Sequence, residues 1–420
     1  MTDPLPPPAE QALGVPSPQT AAASTMRQGI KDELAEIAAA GRLRVRPQLD
    51  SAGGRRIVLR VGGKRLKLIN WASNDYLGAA QTRMVKNGAQ RAVRRWGAGA
   101  GSARLLAGSL PCHAQLEQRL ARWLGAQSTV VTASGYQANV AALSALASSN
   151  EDLLILDRLC HASTYDGAAL AAGQVLRFAH NDPADLERQL IRGDSARRRI
   201  VCVEAVYSMD GDEAPLSAIH SLCQRHGALL VVDEAHALGV LGPGGRGLAA
   251  DLGISPDLRI GTCSKSLGSQ GGFIAGDHDL IDLIINRGRA FIFSTALAPA
   301  AAGAAVSALD LIERHPDLAT TVRATAQDLR QDLRQRGWTV PEGRSAIVPL
   351  LVGDEAATLA LAQRLREAGH HAPAIRPPTV PPGHCRLRLS VTADHTPADR
   401  RKLVEALAEP VRAATDPIKD

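Results

Sequence analysis

Leu229–His236 reads LLVVDEAH, and its reading decides the fold. An apolar run without polar alternation suits a strand buried on both faces, as in a parallel sheet flanked by helices. Asp233 ends that run, and open α/β sheets bind ligands beyond the carboxyl ends of their strands. An acid there is placed to pair with a cationic ring nitrogen, and His236 could stack on the ring face. Pyridoxal 5′-phosphate needs such a partner, because its protonated pyridine is an electron sink for carbanions. A nucleotide hydrolase with a DEAH box would also need a GxxxxGK[ST] loop upstream. The sequence has none.

Outward from this strand, the same pattern recurs. Apolar runs at Ser128–Thr132, Leu153–Leu156, Ile200–Glu204, Leu258–Cys263 and Gly272–Ala275 alternate with helical periodicity. This predicts an α/β fold with a mostly parallel central sheet over 80–299. Ile57–Leu59 and Lys67–Asn70 flank Gly62-Gly63 as a hairpin, which with a helix from Met26 makes an N-terminal arm over 26–79. A smaller α+β domain is expected over 300–420, its last helix near Pro397–Ala414. Residues 1–25, rich in Pro, Ala, Ser and Gln, read as a disordered tail.

Three further segments carry chemistry. Gly261–Gly272, GTCSKSLGSQGG, sets Lys265 among small residues, where a ligand can approach its amine closely. A lysine whose pKa is lowered by burial or neighbouring charge suits Schiff-base chemistry. Thr262 and Ser264 offer hydroxyls to a phosphate. In Thr132–Asn139, TASGYQAN, a strand turns into a helix whose N-terminal N–H groups suit phosphate, with Gly135 or Tyr136 as the cradle. Asp157–Ser163, DRLCHAS, puts His161 just after another strand, where it could stack on the ring opposite the Asp233 side.

Composition limits the alternatives. The 420 residues are 45% hydrophobic with a formal charge of +6, and the basic residues are spread among acids. That balance suits anionic ligands and gives no reason to expect nucleic acid. The densest basic cluster, Ile191–Ile200, reads as a solvated loop or helix end. Six cysteines without CxxC or zinc spacing predict free thiols in a reducing cytosol and no metal site. No run approaches the roughly 18 apolar residues of a membrane span, and Met1–Ala9 lacks a signal-peptide pattern.

From about residue 30 to 410, the chain resembles the α-oxoamine synthases, a branch of the fold-type-I pyridoxal-phosphate enzymes. The likeness rests on SNDYLG (Ser73–Gly78), GAGSARLLAG (Gly99–Gly108) and HAQLEQRLARWLG (His113–Gly125). It continues through SGYQAN, HAS, EAVYSMDGDEAPL (Glu204–Leu216), DEAHALGVLGPGGRG (Asp233–Gly247) and the Lys265 segment. One departure is GAGAGSARLL, where many relatives carry a second Gly before the Ser. RFAHND (Arg177–Asp182) and AIRPPTVPPGHCRLRLS (Ala374–Ser390) look like the branch that joins L-alanine to a pimeloyl thioester, on CoA or a carrier protein, in biotin synthesis.

The resemblance implies roles. Lys265 would carry the cofactor covalently and act as base at the amino-acid Cα. Asp233 would hold the pyridinium N–H and His161 would stack on the ring. His236 and Ser208 would touch the ring-oxygen region. Gly135, Tyr136, Thr262 and Ser264 would bind the phosphate, with Ser294 and Thr295 reaching it from the second subunit of a homodimer. Asn74, Glu204, Arg376, Thr379 and Arg388 would handle substrate, joined by Arg44 in GRLRVRP. Arg388 could instead be a structural ion pair, and Glu204 an acid satisfied within a buried network. The rival reaction within the family joins glycine to acetyl-CoA. Outside it stand an aminotransferase of the same fold and a non-catalytic subunit of that fold.

Overall fold

The computed structural model describes residues 21–44 and 46–407. It divides into an N-terminal unit, 1–48, and a second unit, 49–420. The described part of the first unit holds a helix over Ala21–Ala39. That helix starts inside the stretch expected to be a disordered tail, because Ala21-Ala22-Ala23 are strong helix formers. The rest of the expected tail, 1–20, lies outside the described residues.

In the second unit a sheet of seven described strands forms the centre. In chain order they are β1 (Ser128–Thr132), β2 (Asp152–Asp157), β3 (Gln174–Phe178), β4 (Arg198–Glu204), β5 (Leu229–Asp233), β6 (Leu258–Thr262) and β7 (Gly272–Gly276). Their order across the sheet is β1-β7-β6-β5-β4-β2-β3. Strands β3, β2, β4, β5 and β6 run parallel. β7 runs antiparallel to both β1 and β6. The connection from β6 to β7, 263–271, is too short for a parallel crossover, which takes a dozen or more residues. β2 is buried throughout. β3, at the sheet edge, is exposed or half-buried up to Phe178, and this is why it shows no apolar run in the sequence.

Parallel direction gathers the carboxyl ends of β2, β4, β5 and β6 on one edge of the sheet. Asp157, Glu204, Asp233 and Thr262 end these strands. Two helices begin beside them: α1 (Gly135–Leu146), after β1, and α2 (Ala162–Ala169), after β2. Apolar side chains fill both sheet faces, Val201, Val203, Leu230 and Val232 on one and Leu154, Leu156, Ile200 and Val231 on the other.

The C-terminal part carries a smaller antiparallel sheet in which Cys385–Ser390 lies between Ile347–Gly353 and Ala374–Ile375. The hairpin Arg56–Val61/Lys64–Asn70 forms around Gly62-Gly63 and pairs in parallel with His370–His371. The last helix is described over Pro397–Leu407; the remainder of the expected helix lies outside the described residues. Among the described residues no helix is long and apolar enough to cross a membrane. All six cysteines are buried and free.

Candidate active site

The strand ends enclose a cavity of about 230 Å3, lined among others by Gly135, Tyr136, His161, Glu204, Asp233, His236, Thr262, Ser264 and Lys265. Nine residues singled out in the sequence thus share one wall.

Asp233 sits at the floor. Its Oδ2 accepts from Asn139 Nδ2 at 2.8 Å, and its Oδ1 accepts from the Ala235 N–H at 2.9 Å. These two donors fix the orientation of the carboxylate. Asn139 Nδ2 also donates to Ser163 Oγ at 3.1 Å. Ser163 Oγ lies 2.7 Å from His161 Nδ1, which also accepts the Ser163 N–H at 3.2 Å. An Nδ1 that accepts a backbone N–H carries no proton, so the Ser163 hydroxyl donates to it and His161 bears its proton on Nε2. Burial, and secondarily the Lys265 charge, lower the His161 pKa despite Asp233, and the ring is neutral.

His236, on the other side, is also neutral. Burial, then Lys265 and Arg388, push its pKa well below the ordinary value. Its Nδ1 lies 2.6 Å from the Tyr76 hydroxyl. Arg388, in the smaller sheet, connects this pair to its neighbours: Nη1 donates to Asn74 Oδ1 at 3.1 Å and Ser390 Oγ at 2.8 Å, and Nε donates to the Ser208 carbonyl. Arg388 is buried, and among the described residues no carboxylate pairs with its guanidinium. Its partners are neutral, which leaves a positive charge at the site uncompensated.

Lys265 has its pKa lowered to about 8, because burial outweighs the pull of Asp233 and Glu204. Glu204 shifts the other way, up to about 8, through burial and the nearby Asp233 charge. Both side chains therefore move toward neutral forms. Glu204 Oε1 has no hydrogen-bond partner among the described residues.

The phosphate end is built from a turn and two hydroxyls. Ser134 caps α1, its Oγ accepting the Gln137 N–H at 3.1 Å. A side chain at Gly272 would come within 2.3 Å of the Ser134 carbonyl, and one at Gly135 within 3.2 Å of Thr262. Glycine at both positions lets β7 and Thr262 close on the turn. Thr262 Oγ1 donates to the Gly271 carbonyl at 2.8 Å and accepts the Ser264 N–H at 3.1 Å. A fixed carboxylate, a lysine shifted toward the free amine and a pinched N–H turn with hydroxyls fit pyridoxal phosphate.

The other candidates lie outside this cavity. Asn74, Ser208 and Arg388 reach it through Tyr76 and His236. Arg376 pairs with Glu355 at 2.9 Å, and the Thr379 N–H bonds to the Arg376 carbonyl. Ser294 and Thr295 follow exposed Phe293 on a segment bridged to Ala103. Arg44 belongs to the N-terminal unit and is exposed. Asn139, Ser163 and Tyr76 were not picked out from the sequence, although each stands in a quoted motif. A larger cavity of about 630 Å3 opens near Leu241, Arg323 and Arg344. There Arg344 is held by Glu213 and Asp251, and Arg323 bonds to the Val240 carbonyl, so it shows no comparable set of reactive groups.

Comparison with known proteins agrees with this geometry. Residues 67–407 match the family model of aminotransferase class I and II. An 8-amino-7-oxononanoate synthase of Anaeromyxobacter dehalogenans is 45% identical over 353 residues, 84% of this chain and 88% of that one. Another, from Geobacter sulfurreducens, is 40% identical over 387 residues, 91% and 98% of the two chains. A serine palmitoyltransferase solved with pyridoxal phosphate superposes with a TM-score of 0.85 at 30% identity, covering 91% of this chain and 96% of that one.

Proposed function

The chain belongs to the aminotransferase class I and II family, and from that membership we propose that it is a pyridoxal-phosphate-dependent 8-amino-7-oxononanoate synthase of fold type I. It joins L-alanine to a pimeloyl thioester, on CoA or a carrier protein, and releases CO2 and the free thiol. The observation that carries the reading is the convergence of Lys265, Asp233, His161 and the Ser134-Gly135 turn on one cavity.

Lys265 would hold the cofactor, Asp233 its ring N–H, and the α1 turn with Thr262 and Ser264 its phosphate. When bound, the cofactor supplies the electron sink through which a Cα proton, and later a carboxylate, can leave. Every other step falls to the chain. Asp233 is held in place by two donated hydrogen bonds. His161, neutral and held by Ser163, would lie against the ring. Lys265, with its pKa near 8, keeps roughly a tenth of its amine free at pH 7. Such an amine takes the Cα proton and returns it to product at the end. Arg388 offers an uncompensated guanidinium to a substrate carboxylate.

A homodimer completes the site in this reading. Leu105, Leu106 and Phe293 are exposed, and the Ala103–Thr295 bridge joins their segments. A second copy would cover them and bring its Ser294 and Thr295 to the phosphate. The reading is tested by incubating the enzyme with alanine or glycine and pimeloyl- or acetyl-CoA, then weighing the products. 8-Amino-7-oxononanoate is expected; aminoketobutyrate alone would overturn the substrate assignment.

A further inference from the structure

His180, in the RFAHND segment, stands outside the cavity and has no part in the chemistry above. Its Nδ1 lies 2.9 Å from Asp157 Oδ1 and its Nε2 2.8 Å from Asp212 Oδ2. Both ring nitrogens face carboxylates, so both donate. Burial opposes the charge, but the bonds to Asp157 and Asp212 outweigh it and hold the pKa at about 10. Tyr207 meets the ring edge-on at 4.4 Å.

The two acids govern different loops. Asp157 ends β2 and shapes the turn that leads to His161. Its Oδ1 also accepts the Leu159 N–H at 2.8 Å, and its carbonyl accepts the Cys160 N–H at 3.2 Å. Asp212 closes the turn that carries Ser208, its carbonyl accepting the Tyr207 N–H at 3.0 Å. The Ser208 carbonyl in turn accepts Arg388 Nε. Asn181, held at a positive φ of 53°, fastens the same two acids. Its N–H bonds to Asp157 Oδ2 at 2.9 Å and its amide to Asp212 Oδ2 at 2.7 Å. A left-handed backbone is uncommon for a residue with a side chain, and Asn accepts it most readily.

We propose that His180, bridging Asp157 and Asp212, is a positioning residue that sets the separation between His161 and Arg388 and so the fit of the amino-acid substrate. The proposal rests on the reading of His161 and Arg388 given above. His180 and its two acids bond to none of Ser134, Gly135, Thr262 and Asp233, so the phosphate and ring-nitrogen contacts of the cofactor do not pass through His180.

The test uses full-length His180→Gln, loaded with pyridoxal phosphate. A glutamine amide cannot donate to both carboxylates from the ring-nitrogen positions. Amino-acid affinity is read from cofactor absorbance with alanine, glycine or serine and no acyl donor. That affinity is expected to weaken about tenfold, as for a lost charged hydrogen bond, while cofactor affinity stays within about threefold. Hydrogen exchange should rise in 157–163 and 206–213 together. Equal losses of cofactor and amino-acid affinity, an unchanged amino-acid affinity, or faster exchange in only one segment would each overturn the proposal. Should His180→Gln fail to fold, Asp212→Asn, at a partly exposed side chain, is judged on the same readings. None of them uses an acyl donor, so a wild type that makes no 8-amino-7-oxononanoate refutes the reaction assignment and leaves His180 to be scored separately.

Discussion

Glu204 and Asp233 are register partners at the carboxyl ends of adjacent parallel strands, yet their hydrogen-bonding surroundings differ. Asp233 receives Asn139 Nδ2 and the Ala235 N–H, whereas Glu204 keeps an oxygen without a partner. Burial and then the neighbouring Asp233 charge push the Glu204 pKa up to about 8, which favours a proton on Glu204 at neutral pH.

That proton has a consequence for stability. The Glu204 pKa is raised from 4.5 to about 8, so between those values the folded state holds a proton that the unfolded chain releases. Stability then falls as pH rises through that window. Glu204→Gln carries no such penalty. Its melting temperature, measured without cofactor, should nearly match wild type near pH 5 and exceed it by roughly ten degrees at pH 8, at about 2–4 °C per kcal/mol. A difference that does not grow with pH would show that Glu204 is ionised.

Asn139 should matter because of Asp233. Replacing it with Ala removes a 2.8 Å bond to the carboxylate and a 3.1 Å bond to Ser163. A hydrogen bond to a charged group is worth about 1.5–3 kcal/mol, so cofactor affinity should fall roughly ten- to a hundredfold. Equilibrium dialysis of Asn139→Ala against pyridoxal phosphate checks this. Affinity within a factor of two of wild type would mean that Asp233 orients itself.

Most of the site was legible in the sequence because its groups lie at strand ends, and strand ends are marked by apolar runs that stop at a polar residue. Asp233 was found that way; Glu204 also ends such a run but entered through the family resemblance, and Thr262 through its hydroxyl beside Lys265. Lys265 and His161 were found as residues just beyond such ends. Asn139, Ser163 and Tyr76 act across the fold instead. Asn139 reaches Asp233 over 94 residues, and Tyr76 reaches His236 over 160, so no local pattern announces them. β3 escaped for a different reason: at the sheet edge its side chains are largely solvated, and the apolar run that betrays a buried strand is missing. β7 carries the apolar run but not its direction, which only the short link from β6 decides.

Lys265 can be tested apart from turnover. With a pKa of about 8, roughly half of its amine is free at pH 8, against less than about 1% for an ordinary lysine near 10.4. Reductive methylation of cofactor-free protein at pH 8 should modify Lys265 ahead of Lys31, Lys64 and Lys86, and pyridoxal phosphate should protect it. Lys265→Ala should also lose the visible absorbance of lysine-bound cofactor and at least about a thousandfold in turnover. Labelling of Lys265 no faster than the surface lysines would contradict the lowered pKa.

Arg388 and Arg376 were both expected at the substrate, but they stand in different electrostatic positions. Arg376 already faces Glu355 at 2.9 Å. Arg388 bonds to Asn74, Ser390 and the Ser208 carbonyl, all neutral. A buried guanidinium whose partners are neutral gains most from an arriving carboxylate, and its planar fork can hold both oxygens. Lysine keeps the charge but loses the fork. Arg388→Lys should therefore raise KM for the amino acid roughly ten- to a hundredfold with a smaller change in kcat. Arg376→Lys, which can keep its pairing with Glu355, should change KM by no more than about threefold. Steady-state kinetics on the two variants in parallel decides between them, and a larger KM effect at position 376 would reverse the assignment of the carboxylate site.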